Sequence, residues 1–279
     1  MSAALALVLL LAPPPAVENA GTTAVRSAAA GLAAAIGQAL RATAGPQWIA
    51  YAVPVEAGRQ MCCGHGDEAC CRGCRLERDT GFSQRGGRTA RLEAGPSGTV
   101  YLRGEEGRVS RVRLFSADCS VDVGGRPLTW LTDVAPAESV RLLASYVEAR
   151  EGEGRPLADA ALAALAFHED PLADRVMIAM ARRDASSHVR GQALFWLAHK
   201  AGEKAASTIA QAIDDDPDAD VKEKAVFALS QLPRAEGVPR LITLARTHRS
   251  REVRKKAMFW LGQSHDPRAL EFIEDVLTR

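Results

Sequence analysis

The nine residues Val189-Arg190-Gly191-Gln192-Ala193-Leu194-Phe195-Trp196-Leu197 recur as Val221–Leu229 (VKEKAVFAL) and again as Val253–Leu261 (VRKKAMFWL), each copy starting 32 residues after the last. Self-similarity at a fixed period of this length marks a repeat array, in which each unit buries its apolar face only against its neighbours. Leu157–Leu165 carries the register one period further back, with Ala161 in line with Ala193, Ala225 and Ala257, so about four repeats occupy residues 157–279. At about 100° per residue, positions 0, +4, +7 and +8 of each copy fall on one face. Val189, Ala193, Trp196 and Leu197 form one such set and Val253, Ala257, Trp260 and Leu261 another, and both are expected in the core. Asp170-Pro171 and Asp266-Pro267 mark fresh helix starts inside the period, a capping carboxylate before a Pro whose missing N–H costs nothing at that position. Each repeat is therefore expected to hold two antiparallel helices.

The pattern Val-Arg-x-x-Ala-x-x-x-Leu-Gly followed by Asp-Pro-Arg-Ala, as in Val253 to Gly262 and Asp266 to Ala269, resembles the HEAT repeat in its short bacterial form. It is also similar to the HEAT-like repeats of bilin lyases. The resemblance spans about 156–279 and implies an all-α HEAT-type solenoid. It further implies an inter-repeat ladder of charged hydrogen bonds at position +1 (Arg190, Lys222, Arg254), against the alternative of solvated side chains. Such arrays serve many unrelated tasks, so fold alone does not fix function. The N-terminal half resembles domains that precede these repeats in predicted exported bacterial proteins.

The chain has 279 residues, 47% of them hydrophobic, with 35 Lys+Arg against 34 Asp+Glu. The balance holds in both halves, which excludes the broad positive field that a nucleic-acid backbone needs. The apolar run Met1–Ala12, stopped by Pro13-Pro14-Pro15, is too short to span a bilayer and reads as a signal peptide over residues 1–20. A periplasmic or secreted protein without a membrane span in the mature chain is expected. Residues 21–134 are expected to form a small disulfide-bonded α+β domain, and 135–156 a helix and linker. Within it, the spacing of Val25, Ala29, Leu32, Ile36 and Leu40 predicts one helix across 17–42, and Trp48–Val53 has strand composition. Arg88–Leu131 reads as a β-meander whose last hairpin joins Cys119–Val123 to Arg126–Leu131 through Gly124-Gly125. Ala137–Ala149 is expected as a helix with Val140, Leu143, Ala144 and Val147 as its apolar stripe.

Six cysteines, Cys62, Cys63, Cys70, Cys71, Cys74 and Cys119, make an even set behind an export signal, and disulfides are the favoured reading. Zinc bound by Cys70, Cys71 and Cys74 with Cys62, Cys63 or His65 is the alternative, and a redox pair Cys71/Cys74 a third. Catalytic signatures are missing: no nucleophile elbow, no His-Glu-x-x-His, no phosphate loop. His168, His188, His199, His248 and His265 read as cap or surface residues. The acidic run Asp214–Asp220 reads as an inter-repeat loop that caps the next helix, and the basic cluster Arg246–Lys256 as a solvated face. No catalytic residue, metal or cofactor is expected.

Position +6 points away from the core set and holds Phe195, Phe227 and Phe259 in successive repeats, beside Lys224 and Lys256 at +3. An aromatic strip of this kind is a candidate protein-binding surface, with burial against another part of the chain as the competing account. The expected role is non-catalytic binding or scaffolding of another protein in the cell envelope. The alternatives are an enzyme or chromophore-handling protein of the bilin-lyase kind, and a zinc or thiol-redox module.

Overall fold

The computed structural model describes residues 17–56, 74–77, 96–117, 119–149, 155–200 and 203–278. The chain forms two compact units that divide between Ala173 and Asp174.

The first unit contains a five-stranded sheet of β2 (Thr23–Ser27), β3 (Gln47–Pro54), β5 (Ser97–Glu105), β6 (Arg108–Ser116) and β8 (Leu128–Thr132), in the order β2-β8-β3-β5-β6. β8 runs parallel to both β2 and β3, while β3, β5 and β6 are antiparallel. A smaller parallel sheet holds β1 (Val17–Glu18), β4 (Cys74–Arg75) and β7 (Val121–Asp122), with β7 in the middle. Trp48, Leu76, Tyr101, Cys119, Val121, Val123, Leu128 and Trp130 share one buried cluster. The short segment 74–77 is pinned at Glu77, which accepts from Trp48 Nε1 at 2.8 Å and from Arg103 Nε at 3.2 Å. Burial opposes the charge on Glu77, but these hydrogen bonds and the charges of Arg103 and Arg126 outweigh it and hold the carboxyl below its ordinary range.

Two sequence expectations fail in this unit. The helix expected across 17–42 is confined to α1 (Leu32–Ala42), and residues 23–27 form the edge strand β2, leaving Val25 61% exposed. Thr22-Thr23 and Val25 are β-branched, and Gly31, at φ 118°, breaks the path into the helix. The hairpin expected through Gly124-Gly125 does not form. Both glycines do take positive φ, at 70° and 74°, but the turn hands the chain from the small sheet (β7) to the large one (β8). The β5–β6 hairpin and the β3 strand form as read.

α2 (Pro136–Glu148) buries Val140, Leu143, Ala144 and Val147, the stripe read from the sequence, together with Ser139. It packs on α3 (Arg155–Phe167), which in turn contacts β6. A hydrogen-bonded chain runs through this packing. Tyr51 Oη lies 3.1 Å from Ser139 Oγ, which lies 2.9 Å from His168 Nε2, and His168 Nδ1 is 2.8 Å from the Ala164 carbonyl. A carbonyl only accepts, so Nδ1 carries the proton. His168 is 0% exposed, which corrects its reading as a cap or surface residue. Burial raises the Tyr51 hydroxyl far above its ordinary range, so it stays a neutral donor.

The second unit is helical: most of α4 (Pro171–Arg183), then α5 (Ser187–Lys200), α6 (Glu203–Asp215), α7 (Ala219–Ser230), α8 (Arg234–Thr247), α9 (Arg251–Gln263) and α10 (Pro267–Leu277). The three copies of the nine-residue stretch lie on α5, α7 and α9. α7 packs on both of its fellows, and α6, α8 and α10 alternate with them. Ala193, Ala225 and Ala257 are each 0% exposed, and Val189, Val221, Val253, Leu197, Leu229 and Leu261 are buried with them. The small Ala lets neighbouring helices close up, as in an α-solenoid of the HEAT type. The N-terminal α+β region followed by a run of solenoid helices is the fold class read from the repeats. Cys62, Cys63, Cys70 and Cys71 lie outside the described residues. The main chain of Cys74 pairs with Val121, and Cys119 is buried one turn before β7.

Candidate functional site

Trp196 and Trp260, expected in the core, are half-buried instead. The buried arc also takes in +1 at Arg190 and +5 at Leu194 and Val226, so its centre lies about 70° round from the Val at zero and position +7 falls at its edge. The two Trp rings join the +6 phenylalanines on the outside of α5, α7 and α9. Phe195 and Phe227 stack at 5.8 Å with their planes 10° apart, and Phe227 then meets Trp260 at 4.7 Å. Trp260 meets Phe259 edge-on at 5.0 Å, while His199 and Trp196 close the other end against Phe195 at 4.4 and 5.1 Å.

The candidate strip Phe195, Phe227, Phe259 is therefore one connected run of rings, but Phe259 joins it through Trp260. The sequence explains the swap. In the middle repeat the +7 position is Ala228, which is 0% exposed, so Phe227 has no Trp of its own and takes the one from the next repeat. That leaves Phe259 turned out, 54% exposed. Each ring pair adds roughly 0.5–1.5 kcal/mol beyond the area it buries. The indole N–H of Trp260 is buried and finds no acceptor among the described residues. It borders a recess of about 210 Å³ lined in part by Gln231, Arg234, Leu241 and Gln263.

The two flanking lysines behave differently. Lys256 Nζ pairs with Glu223 at 2.6 Å, across from α9 to α7. Lys224 lays its stem across Gly191, where a β-carbon would come within 2.5 Å of Lys224 Cδ, so the absence of a side chain at Gly191 lets α7 seat its lysine on α5.

Below this surface only Arg190 of the +1 cations makes the charged link between repeats that the resemblance implied, while Lys222 and Arg254 tie down the turn before their own helices. Arg190 grips Asp216 with two bonds, 2.8 and 3.0 Å, and donates to the Asp184 carbonyl at 2.8 Å. Arg254 reaches the His248 carbonyl at 2.7 Å, and Lys222 the Asp214 carbonyl at 2.7 Å. Asp218 caps α7 through the N–H groups of Asp220 and Val221. Of the acidic run, Asp214 and Asp215 end α6, residues 216–218 make the connection and the cap, and Asp220 lies in the first turn of α7. The basic cluster is similarly engaged: His248 lies 3.2 Å from Asp214, Arg249 donates to the Asp214 carbonyl, and Arg246 stands over the Phe272 ring at 5.2 Å. No group of three or more potential metal ligands exists among the described residues, and no described helix is long and apolar enough to cross a membrane.

Sequence reasoning found the phenylalanines but missed that Trp196, Trp260 and His199 share their surface. The signal available was Ala228, which stands between two copies that carry Trp at that position.

Comparison with known proteins bears on the array. No curated protein matches the chain. One chain in the structure of the complex of CpcE and CpcF of phycocyanin lyase from Nostoc sp. PCC7120 is 14% identical. The alignment covers 51% of this chain and 91% of that one, at a TM-score of 0.38, a likeness that places no residue here. Residues 206–279, α7 to α10 with most of α6, match the family model of HEAT repeats.

Proposed function

We propose that the chain is a non-catalytic binding protein whose HEAT-type array takes another protein on the aromatic face of α5, α7 and α9. The observation that carries this reading is the continuous ring run from His199 to Phe259, ending in a phenylalanine more than half exposed on a helix whose other large apolar residues are buried or half-buried. Aromatic residues gathered into one surface run with a polar surround match the make-up of interface cores.

The test is capture with a photo-crosslinker at Leu270, outside the ring run, in the intact protein and in Phe259→Ser. Phe259→Ser should abolish capture of one defined partner and leave the melting temperature nearly unchanged, because the ring is exposed. Undiminished capture by the variant would overturn the reading.

The export and oxidation readings belong to the same proposal. The apolar run Met1–Ala12 and the even cysteine count support a periplasmic or secreted protein with disulfides among Cys62, Cys63, Cys70, Cys71, Cys74 and Cys119, and a partner in the cell envelope. Alkylation of the native protein should find few reactive thiols. Six reactive thiols, stoichiometric zinc or a copurifying chromophore would each replace this reading with one of its alternatives.

A further inference from the structure

Away from the aromatic face, α4 and α6 flank an open recess of about 380 Å³ lined by Ile178, Arg182, Lys204, Ser207 and Thr208. That volume is at the small end of the range for small-molecule sites. Among the described residues two cations and two hydroxyls line it, with one apolar wall and no carboxylate. Thr208, 1% exposed, donates to the Lys204 carbonyl at 2.9 Å and receives Arg182 Nη2 at 3.4 Å, so a buried hydroxyl sets where the guanidinium stands.

The charges here differ from their neighbours. Arg190 is held by Asp216, Lys200 by Asp174, Lys256 by Glu223 and Arg268 by Asp266. Arg182 has only the Thr208 hydroxyl, and the Lys204 ammonium meets no acceptor among the described residues. An arginine fork keeps most of its five donors available in this arrangement, and the lysine all three. Unneutralised donors lining one recess beside an apolar wall suit an oxyanion that carries an apolar body.

We propose that this recess binds a small organic anion. Its phosphate or carboxylate head meets Arg182, Lys204 and the Ser207 hydroxyl, and its apolar body rests on Ile178. The site is separate from the aromatic face and does not depend on the reading given for it.

The experiment titrates the full chain with phenylphosphate and, in parallel, with inorganic phosphate, following heat and the Ile178 methyl NMR signal. Saturable binding is expected, tighter for phenylphosphate. Arg182→Gln and Lys204→Gln should each weaken it roughly tenfold, the loss of about one charge-assisted hydrogen bond. Both side chains are exposed, so the variants should melt like the parent. Arg240→Gln, an exposed cation on α8 outside the recess, and Phe259→Ser should leave the affinity unchanged. The proposal is overturned by absence of saturable binding, by equal sensitivity to Arg240→Gln, or by inorganic phosphate binding as tightly as phenylphosphate.

Discussion

Arg190 shows how a single side chain can hold two repeats together. It sits on α5, is 8% exposed, and joins the turn before its own helix to the turn before α7 through Asp184 and Asp216. Removing it leaves the Asp216 carboxylate buried without its counter-charge, so Arg190→Ala should cost about 3–5 kcal/mol in denaturant unfolding. The equivalent lysine, Lys222, reaches only a carbonyl and should matter less. Asp266 gives a pH test. Arg268 folds back on it with bonds of 2.9 and 2.8 Å and donates its backbone N–H, which takes the carboxyl from the ordinary 3.8 down to about 2. A depressed folded pKa stabilises above the unfolded value, and that contribution is lost as the pH falls through the folded one. Stability of the α10 end should therefore decline between pH 3.8 and about 2, and Asp266→Asn should flatten that part of an acid titration followed by hydrogen exchange. Asp266 was legible because Asp-Pro is a local signal. His168 was not, since its role depends on Ser139 and Tyr51, 29 and 117 residues away.

At the scale of elements, the approach of α8 to α7 is set by Gly237. A β-carbon there would stand 2.7 Å from the Leu229 carbonyl, which is backbone and cannot swing aside. Gly237→Ala should cost roughly 1–3 kcal/mol as overpacking does, whereas Gly262→Ala on α9, with nothing within 4 Å, should gain roughly 0.5–1 kcal/mol from helix propensity. Thermal melts of the two variants should move in opposite directions. The helices of the array were legible because their partners lie one period away and every copy restates the same face. The sheet was not. Its β2 strand looks helical by spacing alone, and what makes it a strand is pairing with β8, about a hundred residues later. Gly124-Gly125 announced a turn correctly and said nothing of which sheets the turn connects.

Across the whole molecule the two units obey different rules of cooperation. In the array α7 contacts both α5 and α9, so Leu229→Ala should lose about 2–5 kcal/mol and also weaken hydrogen-exchange protection in both neighbours. Deprotection confined to α7 would refute this coupling. The aromatic face was partly legible at this scale, since the period names its phenylalanines. The recess at Arg182 was not, because α4 and α6 carry no shared motif. The placement of β8 between β2 and β3 has a consequence for how the protein comes off the ribosome. Residues 23–27 must wait for residues 128–132 before they have a strand to pair with, an interval of roughly 5–20 s at ordinary rates of synthesis. The helices that follow need only the next period to dock. The end of the chain made last can thus assemble as it emerges, while the end made first spends those seconds as an unpaired edge, the stage at which a nascent chain of this design most needs a chaperone.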